Sequence, residues 1–390
     1  MSSPVSESTL AGLTDTVLTP SSVDHVGSWG TEPGDPLIEQ TIDVVARVVR
    51  PQAEATDRSG LARAVLAAMG RAGLMGMAAP AEFGGSAASA AQWREVGELV
   101  MAADGTAWFC WSQHHMLVRA LAALPPSALR ASILPRLVTG DLIGAVAFSH
   151  VRRSGARPLA AVKTLGGWQV TGRLDWVSGW DVADVVHVLA ETDDGKVVQF
   201  MLHTSPQPGV TIHEPLALMA MQGSHTRPVS FEQFYVPDEY CLGVLDRGMW
   251  LAIDERIGAM PTPPAFGLVR ASISSLIELA DHSPGTDTTD ITDTAMSLSA
   301  EVIGLRDVAY RAIDDRAPIP TLMALRGRSL ELASRSCAST VMAAGSRALA
   351  PGSDVGRRYR EAAFLSVFRQ SPAARSAALA QMGPGLSASS

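Results

Sequence analysis

The chain has 390 residues, 47% of them hydrophobic and 18% charged, with a net charge of −8. That length gives room for two or three domains around a large core, and the acidic balance excludes a basic nucleic-acid-binding surface. No stretch approaches the roughly eighteen apolar residues of a membrane span.

Residues 1–35 are rich in Ser, Thr, Pro and Gly and read as a disordered tail. The opening MSSPVSESTL has no charged segment followed by an apolar core, so no leader is expected. Residues 36–140 are expected to form a helical domain. Leu61, Val65 and Met69 recur every four residues as one helix face requires. Ala91–Met101 and Thr106–Ala123 read as further helices, the second ended by Pro125-Pro126. Residues 141–240 change to short apolar runs between turns: 143–148, 168–171, 185–191, 197–202 and 231–236. They are expected to build a β domain, a small barrel or sandwich. Residues 241–382 return to helical periodicity, with long helices over 250–260, 266–280, 291–313 and 322–349 and a polar break at 283–290. A helical bundle is expected there, with a short tail at 383–390. The fold class is therefore α+β and multidomain.

Cys110, Cys241 and Cys337 are far apart and odd in number. That suits a reducing, cytoplasmic compartment and gives neither a disulfide framework nor zinc spacing, so no metal is expected. Trp176 stands two residues before Ser178 in a strand-like run. On a strand, that spacing sets a flat aromatic face beside a hydroxyl, a surface able to hold a flat redox-active ring. The ordinary alternative is a core Trp and a solvated Ser. Gln113, His114 and His115 interrupt an apolar helix. Adjacent positions diverge by about 100°, so only one of the two histidines can face a given cavity. Such a residue would move protons near neutral pH; the alternative is a buried His bonded to a backbone carbonyl.

A series of motifs extends along the chain: Gly73–Gly85, Leu134-Pro135, Thr139-Gly140-Asp141, Ala147–His150, Gly166-Gly167-Trp168, Trp176-Val177-Ser178, Met221–Ser224, Val229–Phe231 and Val236-Pro237. Their order and spacing resemble the acyl-CoA dehydrogenase superfamily of flavoenzymes, from about residue 38 to 382 and most strongly up to 256. The resemblance implies an N-terminal helical domain, a middle β domain and a C-terminal four-helix bundle around FAD, in a homotetramer. It places Ser149 at the pyrimidine side of the flavin, Ser178 at N5, Trp176 against the ring, and Phe148 alongside. Gly345 falls in the later FAD-binding turn. His150, Arg152 and Arg153 occupy a turn that frames substrate in the family. Here it departs from the usual acid, proline and glycine pattern, and the two arginines are either a phosphate-binding pair or a solvated turn.

The resemblance also implies a catalytic Glu near the C-terminus, but that position is Arg369, whose pKa above about 12 rules out a base. Some members carry the Glu on an earlier helix; there the position is Ile277, with Glu278 one residue away. The segment that contacts FAD from a neighbouring subunit is missing too, so FMN is the alternative cofactor. Three functions follow as expectations. The first is oxidation of the Cα–Cβ bond of an acyl group on CoA or an acyl carrier protein, with an electron-transfer flavoprotein as partner. The second is a monooxygenase fed by a separate flavin reductase, in which His114 or His115 handles protons. The third is a non-redox binding module on the same fold.

Overall fold

The structure, a computed structural model, describes residues 34–153, 155, 157–282 and 287–382. Of the tail expected over 1–35, residues 1–33 lie outside these residues, as do the tail at 383–390 and 283–286 of the polar break. Helix α1 (Pro36–Val44) passes through a π turn (Val45–Val49) into α2 (Arg50–Ser59), and α3 (Arg63–Arg71) follows. Asp35 caps α1 by accepting from the backbone N–H groups of Leu37 and Ile38 at 2.9 and 3.2 Å. A reciprocal Ser89–Gln92 capping box starts α4 (Ala90–Ala103), and Asp104 caps α5 (Gly105–Ala122). Helix α6 (Ala128–Thr139) completes the block beyond the Pro125-Pro126 break.

The middle block contains β1 (Gly144–Ala147), β2 (Leu159–Thr164), β3 (Gly167–Val177), β4 (Val185–Glu191), β5 (Lys196–His203), β6 (Val210–Ile212), β7 (Arg227–Pro237) and β8 (Cys241–Asp246). They form one mixed sheet in the order β6-β7-β3-β2-β4-β5-β8, with β1 parallel to β4. Every residue of β4 is buried, and apart from His187 and Glu191 it reads as an apolar run. β3 runs well past the four residues expected of it. Its apolar pattern is interrupted at Gly172, where a Cβ would lie 2.0 Å from the Pro158 carbonyl oxygen. Glycine there lets β2 and β3 approach closely.

The last block is α7 (Arg247–Ala259), α8 (Pro263–Asp281), α9 (Thr289–Asp314), α10 (Ile319–Ala344), α11 (Asp354–Val367) and α12 (Pro372–Met382). α8 packs against α4, α9, α10 and α11. The helix expected over 322–349 ends at Ala344, because Gly345 takes φ +61° and a 3-10 turn follows. A buried ionic network ties α4 to α8 and α9. Arg270 donates to Glu95 at 2.9 Å, while Arg306 and the Tyr310 hydroxyl donate to Glu98 at 2.7 and 2.6 Å. The order of helices, sheet and helices is that of the expected fold.

Candidate active site

A cavity of about 570 Å³ opens between the sheet and helices α5 and α11. The chain builds it from both sides. Phe148 and Ser149 follow β1, and Ser149 opens a 3-10 turn that carries Arg152. Trp176 and Ser178 stand at the end of β3, where a register shift against β7 lies between Leu174 and Val177. Such an irregularity re-aims side chains. Val177 turns into the core while Trp176 and Ser178 face the cavity, and Trp176 is 48% exposed. Opposite, Phe109 of α5 meets Phe364 and Phe368 of the α11 segment edge-on, with ring centroids 5.0 and 5.7 Å apart. Glu361 links these two elements by accepting from the Gly105 N–H at 3.1 Å and from Arg357 at 2.6 Å.

Ser178 is the outer member of a hydroxyl chain. Its Oγ lies 2.6 Å from Thr226 Oγ1, which lies 2.9 Å from Ser224 Oγ, which donates to the Met221 carbonyl at 2.8 Å. Gln113 also lines the cavity. Its Oε1 accepts from the Val146 N–H at 3.4 Å, and its buried Nε2 has no protein partner. Thr226, Ser224 and Gln113's spare amide were not assigned roles from the sequence; Met221–Ser224 marked only the frame.

The cavity thus gathers Phe148, Ser149, Arg152, Arg153, Trp176, Ser178 and Arg369. The other sequence candidates stand elsewhere. His114 is fully buried. Its Nδ1 accepts from the Gly144 N–H at 3.0 Å, so its protonated Nε2 faces the Met75 carbonyl at 3.2 Å. His115 donates to the Leu74 carbonyl at 2.8 Å. Burial holds the pKa of His114 down to about 4 and that of His115 well below its ordinary value. Both are structural side chains, which corrects the proton-handling role expected of them. His150 is buried against the Leu189 carbonyl at 2.7 Å and does not line the cavity. Glu278 is exposed on α8 and does not line the cavity, so this structure does not bring it to the site as a base. Gly345 ends α10 and does not border the cavity either.

Among the described residues, no carboxylate or histidine lines the cavity. The acid nearest in the network is Asp254 of α7, which nothing in the sequence singled out. Arg152 grips it with Nε at 2.6 Å and Nη2 at 2.8 Å, and Arg369 Nη2 bonds it at 2.7 Å. Burial acts to raise the Asp254 pKa, but the two guanidiniums together outweigh it and hold the carboxyl below its ordinary value. A carboxylate so engaged is a poor proton acceptor. Among the described residues no cluster of three or more His, Cys, Asp or Glu side chains stands ready for a metal. No helix there is long and apolar enough to cross a membrane.

Helices, mixed sheet and helix bundle, in that order, make up the acyl-CoA dehydrogenase fold. The acyl-CoA dehydrogenase N-terminal domain model matches residues 33–141. The mitochondrial isovaleryl-CoA dehydrogenase of Pongo abelii is 27% identical over 213 residues, which covers 52% of this chain and 50% of that protein. The chain spans about half the length of the curated relatives it matches. Butyryl-CoA dehydrogenase from Megasphaera elsdenii shares the fold at TM-score 0.75 and 18% identity, over 95% of this chain and 99% of that one. A glutaryl-CoA dehydrogenase from Mycobacterium smegmatis in complex with FADH2 does so at 0.72 and 17%, over 89% and 94%. Residues 33–141 are thus similar to the acyl-CoA dehydrogenase N-terminal domain, and the described chain has the acyl-CoA dehydrogenase fold.

The residues present fit an isoalloxazine ring. Trp176 offers a half-exposed flat face, Ser149 and Ser178 offer hydroxyls, and Gln113 offers an unused buried amide donor.

Proposed function

We propose that the chain is a flavin-dependent oxidoreductase, with FAD, or FMN as the alternative, seated in this cavity. The observation that carries the reading is the convergence of Trp176, Ser149, Ser178 and the partnerless Gln113 amide on one cleft. A flavin bound there would supply two-electron chemistry at N5. The chain's own part is to orient and to exclude water. Trp176 would lie against the ring, the Ser178–Thr226–Ser224 hydroxyls would offer it hydrogen bonds, and Phe109, Phe364 and Phe368 make the facing wall apolar.

The names of the relatives support an acyl group on CoA as substrate, and the description of one fold neighbour names an electron-transferring flavoprotein, which suits such a protein as acceptor; an acyl group on a carrier protein is the further option. The carboxylate-free lining favours the second reading, a monooxygenase supplied with reduced flavin by a separate reductase, because removal of an α-proton finds no base in the cavity. A homo-oligomer belongs to the same proposal. The test is spectroscopic. Purified protein is expected to be yellow. Anaerobic bleaching by acyl thioesters selects desaturation; product formed only with oxygen, NAD(P)H and a flavin reductase selects oxygenation. Protein that stays colourless and takes up neither FAD nor FMN refutes both.

A further inference from the structure

The position that holds the base in related enzymes is here part of a differently built site. Arg369 is kept in a left-handed backbone conformation at φ +50°, which costs a residue other than glycine. Two contacts sustain it: its own bond to Asp254 at 2.7 Å, and Arg326, which clasps the preceding carbonyl, that of Phe368, at 2.7 Å. Asp254 serves Arg152 as well, through both of its oxygens. Two guanidiniums therefore share one carboxylate, and Arg326 holds the backbone beside them. Burial first and then Arg369 lower Arg326 to about 10, and burial lowers Arg369 with Arg152 adding to it. Arg152 spends Nε and Nη2 on Asp254, which leaves Nη1. Arg369 spends Nη2, while its buried Nε has no protein partner. Arg152, Arg153 and Arg369 all line the cavity, and no acid among the described residues lines it with them. The rest of the wall is aromatic and aliphatic, from Phe109, Phe364, Phe368 and Met219.

We propose that Arg369 and Arg152, pinned by Asp254, form an oxyanion clamp, and that the cavity takes an amphipathic substrate whose apolar body carries a carboxylate. This rests on the cavity's being the substrate site. Planar guanidiniums with donors in a fixed fork match a carboxylate, and the low-dielectric wall strengthens the attraction. An acid arriving here neutralises the excess positive charge that the lone Asp254 leaves. A neutral amide offers one uncharged acceptor oxygen in place of two charged ones, so it loses the charge-assisted, two-point contact.

The test compares 4-phenylbutyrate with 4-phenylbutanamide by titration calorimetry on the full-length protein as purified. The carboxylate is expected to bind at least about tenfold more tightly than the amide, as charge-assisted bonds to arginine imply, and the margin is expected to shrink in high salt. In Arg369→Gln the margin should fall to about threefold or less, and in Arg369→Lys, which keeps the charge but not the fork, to an intermediate value. If Arg369→Gln does not fold, Arg152→Gln and Arg369→Lys carry the same comparison. Equal affinities, a margin unmoved by these substitutions, or no binding of either probe overturns the clamp. Failure of the flavin reading is separate: colourless protein that still discriminates keeps the clamp, and yellow protein that does not discriminate loses it.

Discussion

Burial fixes the charge of three histidines before any chemistry is considered. His114, His150 and His187 each sit in the core with a pKa held down to about 4. In the unfolded chain a histidine takes up its proton near 6.5. Between those two values the unfolded state binds more protons, so falling pH favours it. Their contribution is whole above about 6.5 and is lost as pH drops towards 4, with each histidine losing about 1.4 kcal/mol per pH unit crossed. Asp104, pushed up to about 6 by burial, acts with the opposite sign over part of the same range. The clean measurement is therefore a difference. Urea midpoints of wild type and His187→Gln, compared across that window, should diverge at neutral pH and converge towards acid. Parallel curves would show that His187 does not titrate this way. The same physics explains what the sequence concealed. The Trp176–Ser178 spacing was readable because strand alternation is rigid. His114 and His115 had two readings, and only burial against Met75 and Leu74 carbonyls decides between them.

Among the elements, α4 shows how little of a buried network a linear pattern reveals. Glu95 and Glu98 lie on a helix whose spacing reads as ordinary, yet both are fully buried and bonded to arginines on α8 and α9. Removing one partner from such a pair strands a buried charge and costs roughly 3–5 kcal/mol. Arg306→Met is expected to lower stability by that order in a denaturant titration, and adding Glu98→Gln should recover part of it. A melt for Arg306→Met indistinguishable from wild type would mean the network contributes nothing. Strands differ in the same way. β4 is buried at all seven positions and was legible to the residue, whereas β2 exposes Lys163 and its neighbours and β8 alternates weakly, so neither offered an apolar run. The end of α10 needed the conformation of Gly345, not its identity alone.

Across the whole molecule, the succession of helical, β and helical blocks was legible because hydrophobic period changes twice, near residues 141 and 246. The active cleft lies where those blocks meet, and long-range contacts there were not legible: Asp254 to Arg152 spans 102 positions and Asp254 to Arg369 spans 115. The proposed chemistry depends on a flat cofactor lying against Trp176. Flavin content of purified wild type and Trp176→Ala, read by absorbance and by fluorescence titration with added FAD and FMN, tests that most directly. Wild type should retain flavin, and the truncated variant, having lost its ring contact of roughly 0.5–1.5 kcal/mol beyond the area buried, should bind at least severalfold more weakly while melting normally. Equal flavin affinity in the two proteins, or none in either, would contradict it.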